Sequence, residues 1–178
     1  MDWLDIKEFI KDTIGYIILI GIILIIAIYV VGLQQVIGPS MEGTLENGDI
    51  LILDKLSYNF IDIKRNDIIA FYSSETKYLI KRVIGLPGEY IEFKDNKLYI
   101  NNKVILEDYL EGSVKTNNFT LTELGYEQIP ENTYFVLGDN RENSKDSRNA
   151  EIGLIKKEDV IGKVRLRLWP INKLKLIK

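Results

Sequence analysis

The chain has 178 residues, of which 46% are hydrophobic and 28% are charged, and its formal net charge is -3. These values exclude an extensively disordered chain and a polytopic membrane protein. The chain also lacks the excess of basic residues that would indicate binding to nucleic acid. The chain contains neither Cys nor His, which excludes disulfides, a thiolate nucleophile and a Ser-His-Asp triad. Acid–base chemistry at neutral pH must therefore come from Lys, Asp, Glu or Tyr.

The first predicted element is a membrane-spanning helix over residues 14–36. This stretch has no charged residue, and a helix needs about 20 apolar residues to cross a bilayer. A buried core helix would need partners around it, but the rest of the chain is typical of strands. A cleavable signal peptide would end in small residues after a shorter apolar run. We therefore predict a retained transmembrane anchor.

The basic residues that flank the span predict its orientation. Lys7 and Lys11 precede it, and the next Lys or Arg is Lys55. Because Lys and Arg are enriched on the cytoplasmic side of a span, residues 1–13 are predicted to be a short cytoplasmic N-terminus. Residues 37–178 are predicted to form one extracytoplasmic domain of a single-pass protein in the cell membrane.

After the span the hydrophobic pattern becomes that of short strands. In residues 163–168 apolar and basic residues alternate, so Val164, Leu166 and Leu168 are expected to face a core. Residues 107–131 are polar and are expected to form a long surface excursion. The predicted fold class is mainly β, with a single N-terminal transmembrane helix followed by a closed or partly closed antiparallel β domain. The other predicted strands lie within residues 49–53, 67–72, 90–105 (with turns at 95–96 and 101–102) and 133–137.

The first segment with chemical potential is 38–45, directly after the span. Its Gly38-Pro39-Ser40 turn presents a small hydroxyl on a constrained backbone close to the membrane surface. Gly, Pro and Ser are also what ordinary connecting loops contain. This segment alone therefore favours an ordinary connecting loop over a nucleophile.

The second segment is a strand that ends in the Pro-Gly turn of residues 87–88. Strand alternation places Lys81 on one face with Leu79 and Val83. A lysine in an apolar stripe loses hydration, which lowers its pKa and lets the neutral amine accept a proton from a serine. Arg82 stays protonated and cannot do this. The alternative is a lysine that reaches solvent from an edge strand.

The third segment, 138–148, follows the strand of 133–137 and combines hydroxyls, carboxylates and two arginines. Such a loop either forms a polar network that holds a neighbouring site rigid or is a solvated, charged loop.

Taken together, the three segments resemble the bacterial type I signal peptidases. That family has a nucleophilic Ser in a P-S-M motif, a Lys in a K-R-V-x-G-x-P-G-D/E strand, and a G-D-N-R-x-x-S-x-D-S-R loop. All three occur here in the same order, and Gly48-Asp49-Ile50 is a fourth, weaker match. The chain is similar to the smaller, single-span form of the family found in Gram-positive bacteria. It departs from the family at Gly43, where Pro is usual, which is expected to loosen the loop after the nucleophile.

The resemblance implies a role for each matching residue. Ser40 would be the nucleophile and Lys81 the general base. The implied supporting residues are Ser144, which orients the lysine, the Asp146–Arg148 ion pair, and the backbone at Ser40 and near Gly38, which would form the oxyanion hole. The expected substrate-binding residues are Met41, Leu45 and Leu79.

The implied function is a membrane-anchored serine endopeptidase that removes signal peptides from secreted preproteins. Its partners would be the extended C-region of a signal peptide, with small residues at positions -1 and -3, and membrane lipid. No metal, nucleotide or other cofactor is expected. Three alternatives remain: a membrane-tethered β module that binds without catalysis, an inactive homologue, and another Ser/Lys peptidase of the same fold. The last is exemplified by the self-cleaving repressors, which carry a DNA-binding module where this chain has a span.

Overall fold

The computed structural model describes residues 3–73, 78–110 and 114–177. Its N-terminal helix, α1 (Trp3–Ile25), continues into one π-helical turn, Ile26–Val30. The candidate span Ile6–Val30 contains an 18-residue window with a mean hydropathy of 2.8, and none of that window is buried against the described part of the chain. The length and composition therefore suit a membrane span.

The predicted span is too long at its C-terminal end. Residues Val31–Gln35 form strand β1, which pairs with β2 (Ile50–Asp54). Their backbone hydrogen bonds go to a neighbouring strand, so they cannot belong to the helix. Apolar composition continued past the helix because β1 is itself part of the core domain.

The described residues of the domain form two antiparallel sheets. The larger has eight strands in the order β1-β2-β11-β3-β4-β9-β10, with β12 beside β11, and the smaller has the order β7-β6-β5-β8. The sheets do not close, which confirms the predicted mainly β fold in its partly closed form. The remaining strands are β3 (Ile68–Tyr72), β4 (Tyr78–Gly85), β5 (Ile91–Lys94), β6 (Lys97–Ile100), β7 (Lys103–Ile105), β8 (Phe119–Thr120), β9 (Thr133–Leu137), β10 (Ile155–Lys156), β11 (Val160–Trp169) and β12 (Lys175–Leu176).

Two tight turns connect β5 to β6 and β6 to β7. Asp95, Asn96, Asn101 and Asn102 all have positive φ angles, as two-residue hairpin turns require, and Asn and Asp tolerate that conformation best after Gly. The Asx pairs in the sequence therefore marked both turns correctly.

The alternation expected in residues 163–168 is interrupted. Val164 is fully buried, but the pairing of β11 with β2 shifts register between Val164 and Leu166, and again between Arg167 and Trp169. Each bulge adds one residue, which moves the following side chains to the other face. Leu166 is consequently only half-buried and Leu168 is exposed.

The segment 107–131 is not confined to the surface. Thr116, Phe119, Leu121 and Ile129 are buried, and the last three pack in a core cluster with strands of the smaller sheet. Because polar residues separate these buried positions, the sequence shows no hydrophobic periodicity from which their burial could be predicted.

Two loops and one strand bring the chemically interesting segments together. The loop 36–49 joins β1 to β2, β4 lies between β3 and β9 in the larger sheet, and the loop 138–148 follows β9. Because β4 and β9 are neighbours, the loop after β9 lies beside the middle of β4.

Candidate active site

The nucleophile loop, residues 36–49, is closed by hydrogen bonds between its two ends. The Val36 amide donates to the Asp49 carbonyl at 2.8 Å, and the Gly48 amide donates to the Val36 carbonyl at 2.9 Å. The Gly38 amide donates to Asn47 Oδ1 at 2.8 Å. The Gly38 N–H is therefore already in use, so an oxyanion donor in this region must come from another group.

Ser40 and Lys81 meet although 41 residues separate them. Lys81 Nζ lies 2.7 Å from Ser40 Oγ and 3.0 Å from the Ile80 carbonyl oxygen. The lysine is only 2% exposed, and Leu79 and Val83, its neighbours on the same face, pack in one hydrophobic cluster. The apolar stripe predicted from strand alternation is present.

The environment of Lys81 favours its neutral form. Burial lowers the pKa of the Lys81 ammonium from 10.5 to about 8, while the negative charges of Asp146 and Asp139 act in the opposite direction. No carboxylate forms a salt bridge with Lys81 in the described part of the chain. The neutral amine that a general base requires is therefore far more accessible near physiological pH than in an ordinary lysine.

The loop 138–148 holds the nucleophile from the other side. The Asn140 amide donates to the Ser40 carbonyl at 3.1 Å, and Asn140 Nδ2 donates to Glu42 Oε2 at 3.0 Å. A Cβ at Gly138 would come within 2.4 Å of the Ser40 carbonyl oxygen. Only glycine allows this close approach of the two loops.

The expected ion pair of Asp146 and Arg148 is formed. Arg148 Nε donates to Asp146 Oδ1 at 2.8 Å, and Nη2 donates to Oδ2 at 2.9 Å. Asp146 Oδ2 also accepts the Gly138 amide at 3.1 Å, and Arg148 Nη2 donates to the Arg141 carbonyl at 2.7 Å. The pair thus fixes the backbone of the loop that touches Ser40.

Ser144 departs from the expected role. Its Oγ is buried and has no hydrogen-bond partner among the residues that the structure describes. The side chain lies against Gly138, where an added Cβ would come within 2.2 Å of Ser144 Oγ. The contacts of Lys81 Nζ go to Ser40 and to the Ile80 carbonyl, so that carbonyl, and not Ser144, orients the amine here.

Two buried ion pairs beside the site were missed in the sequence. Arg82 binds Asp139 through Nε at 2.9 Å and Nη2 at 2.7 Å, and both side chains are at most 4% exposed. Arg141 donates to Glu107 at 2.5 Å. The K-R and G-D-N-R motifs contain both arginines, but nothing in the sequence identified their partners. Glu107 also connects the segment 107–131 to the site.

A small cavity adjoins the two reacting side chains. Its volume is only about 40 Å³, so it suits a small side chain. Met41 and Leu79 contribute to it as expected, whereas Leu45 is fully buried in the core and is not part of its lining. The lining residues are Val36, Ile37, Ser40, Met41, Tyr78, Leu79, Ile80 and Lys81.

Gly43 has a φ angle of +94°. Proline is restricted to a φ near -65°, so the Pro usual at this position in the resembling family does not fit this backbone. The departure therefore changes the shape of the loop after Ser40 as well as its stiffness.

Comparison with known proteins identifies the family of this chain. The family model described as signal peptidase, peptidase S26, matches residues 6–169. The chain belongs to the S26 signal peptidase family. Signal peptidase I of Bacillus caldolyticus is 44% identical over 144 residues, which are 76% of this chain and 78% of that protein. Signal peptidase IB of Staphylococcus aureus is 33% identical over 181 residues, covering 95% of this chain and 94% of that protein.

A solved structure leads to the same family. The crystal structure of a signal peptidase I from Enterococcus faecalis V583 matches this chain with a TM-score of 0.52 and 41% sequence identity. The match covers 58% of this chain and 97% of the chain in that structure. The family expected from the three motifs is confirmed. This signal peptidase is a serine endopeptidase that acts on secretory preproteins and removes their signal peptides.

Proposed function

We propose that this signal peptidase cuts its substrates with Ser40 as the nucleophile and Lys81 as the general base. The observation that carries the proposal is the 2.7 Å contact between Ser40 Oγ and the Nζ of a lysine that is 2% exposed. A neutral amine at that distance accepts the hydroxyl proton as the oxygen attacks a carbonyl carbon. The pKa of about 8 makes that neutral form accessible.

The reaction then proceeds in two steps. Ser40 Oγ attacks the scissile carbonyl, and Lys81, now protonated, gives the proton to the leaving amine so that an acyl-enzyme remains. Lys81 is neutral again and removes a proton from water, which hydrolyses the ester and returns the proton to Ser40 through the same amine. Each step uses one amine and one hydroxyl, and no other titratable group must exchange protons.

The oxyanion is assigned to the backbone N–H of Ser40. This amide donates to no described acceptor, and a preorganised backbone donor stabilises the transition state by several kcal/mol. The Asp146–Arg148 pair and the Asn140 amide support it, because they fix the loop that binds the Ser40 carbonyl. Gly38 contributes through loop shape, since its own N–H is used by Asn47.

We assign the residue at position -1 of the substrate to the small cavity beside Ser40. Met41 and Leu79 limit its depth, so Ala or Gly is favoured there. The signal-peptide C-region is proposed to bind as an extended strand along the sheet edge near the cavity.

One face of the larger sheet is proposed to rest on membrane lipid. Leu33, Ile52, Leu166 and Leu176 are register partners across β1, β2, β11 and β12 and therefore point to the same side. Leu33 and Leu176 are more than 60% exposed, as are Ile37 and Ile171 nearby in the chain. An exposed apolar face of this kind, directly after a membrane-spanning helix, is typical of a membrane contact.

The proposed topology follows from the basic residues that precede the span. The helix that ends at Val30 crosses the cell membrane, the residues before it lie in the cytoplasm, and the β domain lies on the outer surface. Lys7 and Lys11 on the N-terminal side support this orientation.

The dyad is tested by separate Ser40→Ala and Lys81→Ala substitutions in the full chain. Each is expected to abolish processing of a preprotein in reconstituted vesicles while the thermal unfolding temperature stays near that of the wild type. Processing that survives in either variant would contradict the assignment.

The membrane face is tested by Leu33→Glu and Leu176→Glu. Loss of one buried apolar side chain costs about 1.5–3 kcal/mol, so processing of vesicle-embedded preprotein is expected to fall about tenfold or more, while cleavage of a soluble peptide is unchanged. Leu106→Glu is the matched control, since Leu106 is equally exposed but follows β7 of the smaller sheet. Equal effects of all three substitutions would contradict the proposed face.

A further inference from the structure

A buried ion pair at the base of the nucleophile loop joins it to strand β11. Arg167 Nη1 lies 3.0 Å from Asp49 Oδ2, and the two side chains are 12% and 3% exposed. Asp49 is the last residue of the loop 36–49, and it immediately precedes β2. The pair therefore connects the loop to a strand residue that is 118 positions away in the sequence.

The contacts of this pair continue toward Ser40. Asp49 Oδ2 accepts the Glu46 amide at 2.9 Å, and Arg167 Nη1 lies 3.4 Å from the Thr44 carbonyl oxygen. The Thr44 amide in turn donates to the carbonyl of Met41 at 3.1 Å. Met41 is bonded to Ser40, so a short chain of polar contacts leads from Arg167 to the nucleophile.

Arg167 is itself held in place. Its Nε donates to the Lys173 carbonyl at 2.9 Å, which fixes the guanidinium between the loop and the segment before β12. On the opposite side, Arg82 Nη2 lies 3.3 Å from Thr44 Oγ1. Thr44 is thus held by its carbonyl from β11 and by its hydroxyl from β4, the strand that carries Lys81.

We propose that Arg167 is a positioning residue for catalysis, which acts through Asp49 and Thr44 to hold Ser40 at hydrogen-bond distance from Lys81. The inference rests on the proposed function of the Ser40–Lys81 dyad. Gly43, at a φ of +94°, adds no side chain that would restrict the loop, so the contacts with Arg167 act together with the loop's own hydrogen bonds to set its conformation. Displacement of a nucleophile by about 1 Å is enough to cost about 100-fold in rate.

The same strand contains a matched control. Arg165 also forms an ion pair with an aspartate of β2, since its Nη2 lies 3.0 Å from Asp54 Oδ2. Arg165 further donates to Ser57 Oγ at 3.2 Å. Its side-chain hydrogen bonds go to Asp54 and Ser57, at the end of β2 far from the nucleophile loop. Removal of Arg165 therefore tests the loss of an arginine–aspartate pair without loss of the loop contact.

The experiment compares Arg167→Met with Arg165→Met in the full chain, in detergent micelles, with a soluble peptide that has Ala at positions -1 and -3. Arg167→Met is expected to lower kcat about 100-fold with KM changed less than about threefold, because Arg167 itself does not line the substrate cavity. Arg165→Met is expected to change kcat less than about fivefold, the range of an exposed ion pair. Equal kcat values for the two variants, or an Arg167→Met defect confined to KM, would overturn the proposal.

If Arg167→Met does not fold, a second pair of variants tests whether Arg167 positions the nucleophile through Asp49. Asp49→Asn keeps the shape and the acceptor for the Glu46 amide but loses the charge that binds Arg167, and Asp54→Asn is its control. Asp49→Asn is expected to lower kcat at least tenfold relative to Asp54→Asn, whereas equal kcat values would overturn the proposal. Cleavage that survives in Ser40→Ala or Lys81→Ala would instead refute the proposed function of the dyad.

Discussion

Lys81 and Arg82 are adjacent cations on one strand, both almost completely buried, and their surroundings differ in one respect. Arg82 has a carboxylate partner, Asp139, at 2.7 Å, whereas Lys81 contacts a hydroxyl and a carbonyl. A buried cation beside a carboxylate stays charged, and its ion pair acts as a structural brace, that is, a contact that holds two segments of the fold together. Burial without a carboxylate partner disfavours the charge and makes the amine a base. The difference arises from strand alternation, which points the two side chains to opposite faces of β4.

The different roles of Lys81 and Arg82 are tested most strongly by an exchange that keeps a positive side chain at residue 81. Lys81→Arg is expected to lower kcat/KM by about 100- to 10,000-fold, the range of general-base catalysis, because a guanidinium does not give up its proton. Initial-rate measurements with a soluble peptide would show this. Arg82→Lys is the matched control and is expected to retain most of the kcat, since a brace needs a cation and not a neutral amine. Comparable losses in the two variants would contradict the division of roles.

The role of Arg82 as a brace predicts a large effect on stability. Arg82→Met leaves Asp139 buried without its partner, which is expected to lower the free energy of unfolding by about 3–5 kcal/mol. Denaturant unfolding of the detergent-solubilised chain measures this. The double variant Arg82→Met, Asp139→Leu removes both charges and is expected to recover most of the loss. A double variant as unstable as Arg82→Met would show that the pair does not act as a unit.

A smaller effect is expected at Ser144, the residue whose Oγ has no described hydrogen-bond partner. Because the Ile80 carbonyl already orients Lys81 Nζ, Ser144→Ala is expected to change kcat/KM less than about tenfold, which corresponds to 1.4 kcal/mol. Peptide-cleavage kinetics provide the test. A loss as large as that of Lys81→Arg would restore the orienting role that the family resemblance implies for Ser144.

The parts of the site that follow from local patterns could be predicted from the sequence. Alternation along β4 placed Lys81 between Leu79 and Val83, and the Gly-Pro-Ser turn placed Ser40 just after the span. Family motifs then supplied the Asp146–Arg148 pair, whose partners are two residues apart and form a local contact.

The parts that depend on distant contacts could not be predicted. Asp139 is 57 residues from Arg82, and a charged strand residue gives no sign of which carboxylate it will meet. The bulges in β11 were equally hidden, because they result from pairing with β2 and not from composition. The first of them turned Leu166 from the core to the proposed membrane face.

The pH dependence of kcat/KM for a soluble peptide shows whether neutral Lys81 is the general base, because it reports the ionisation of the free enzyme. Lys81 must be neutral to act, and its pKa is lowered to about 8, so kcat/KM is expected to rise about tenfold per pH unit below that value and to level off above it. A substrate without titratable groups and an unfolding measurement at each pH exclude other causes. A profile that is flat from pH 6 to 9, or that falls as pH rises through 8, would contradict a neutral lysine as the base.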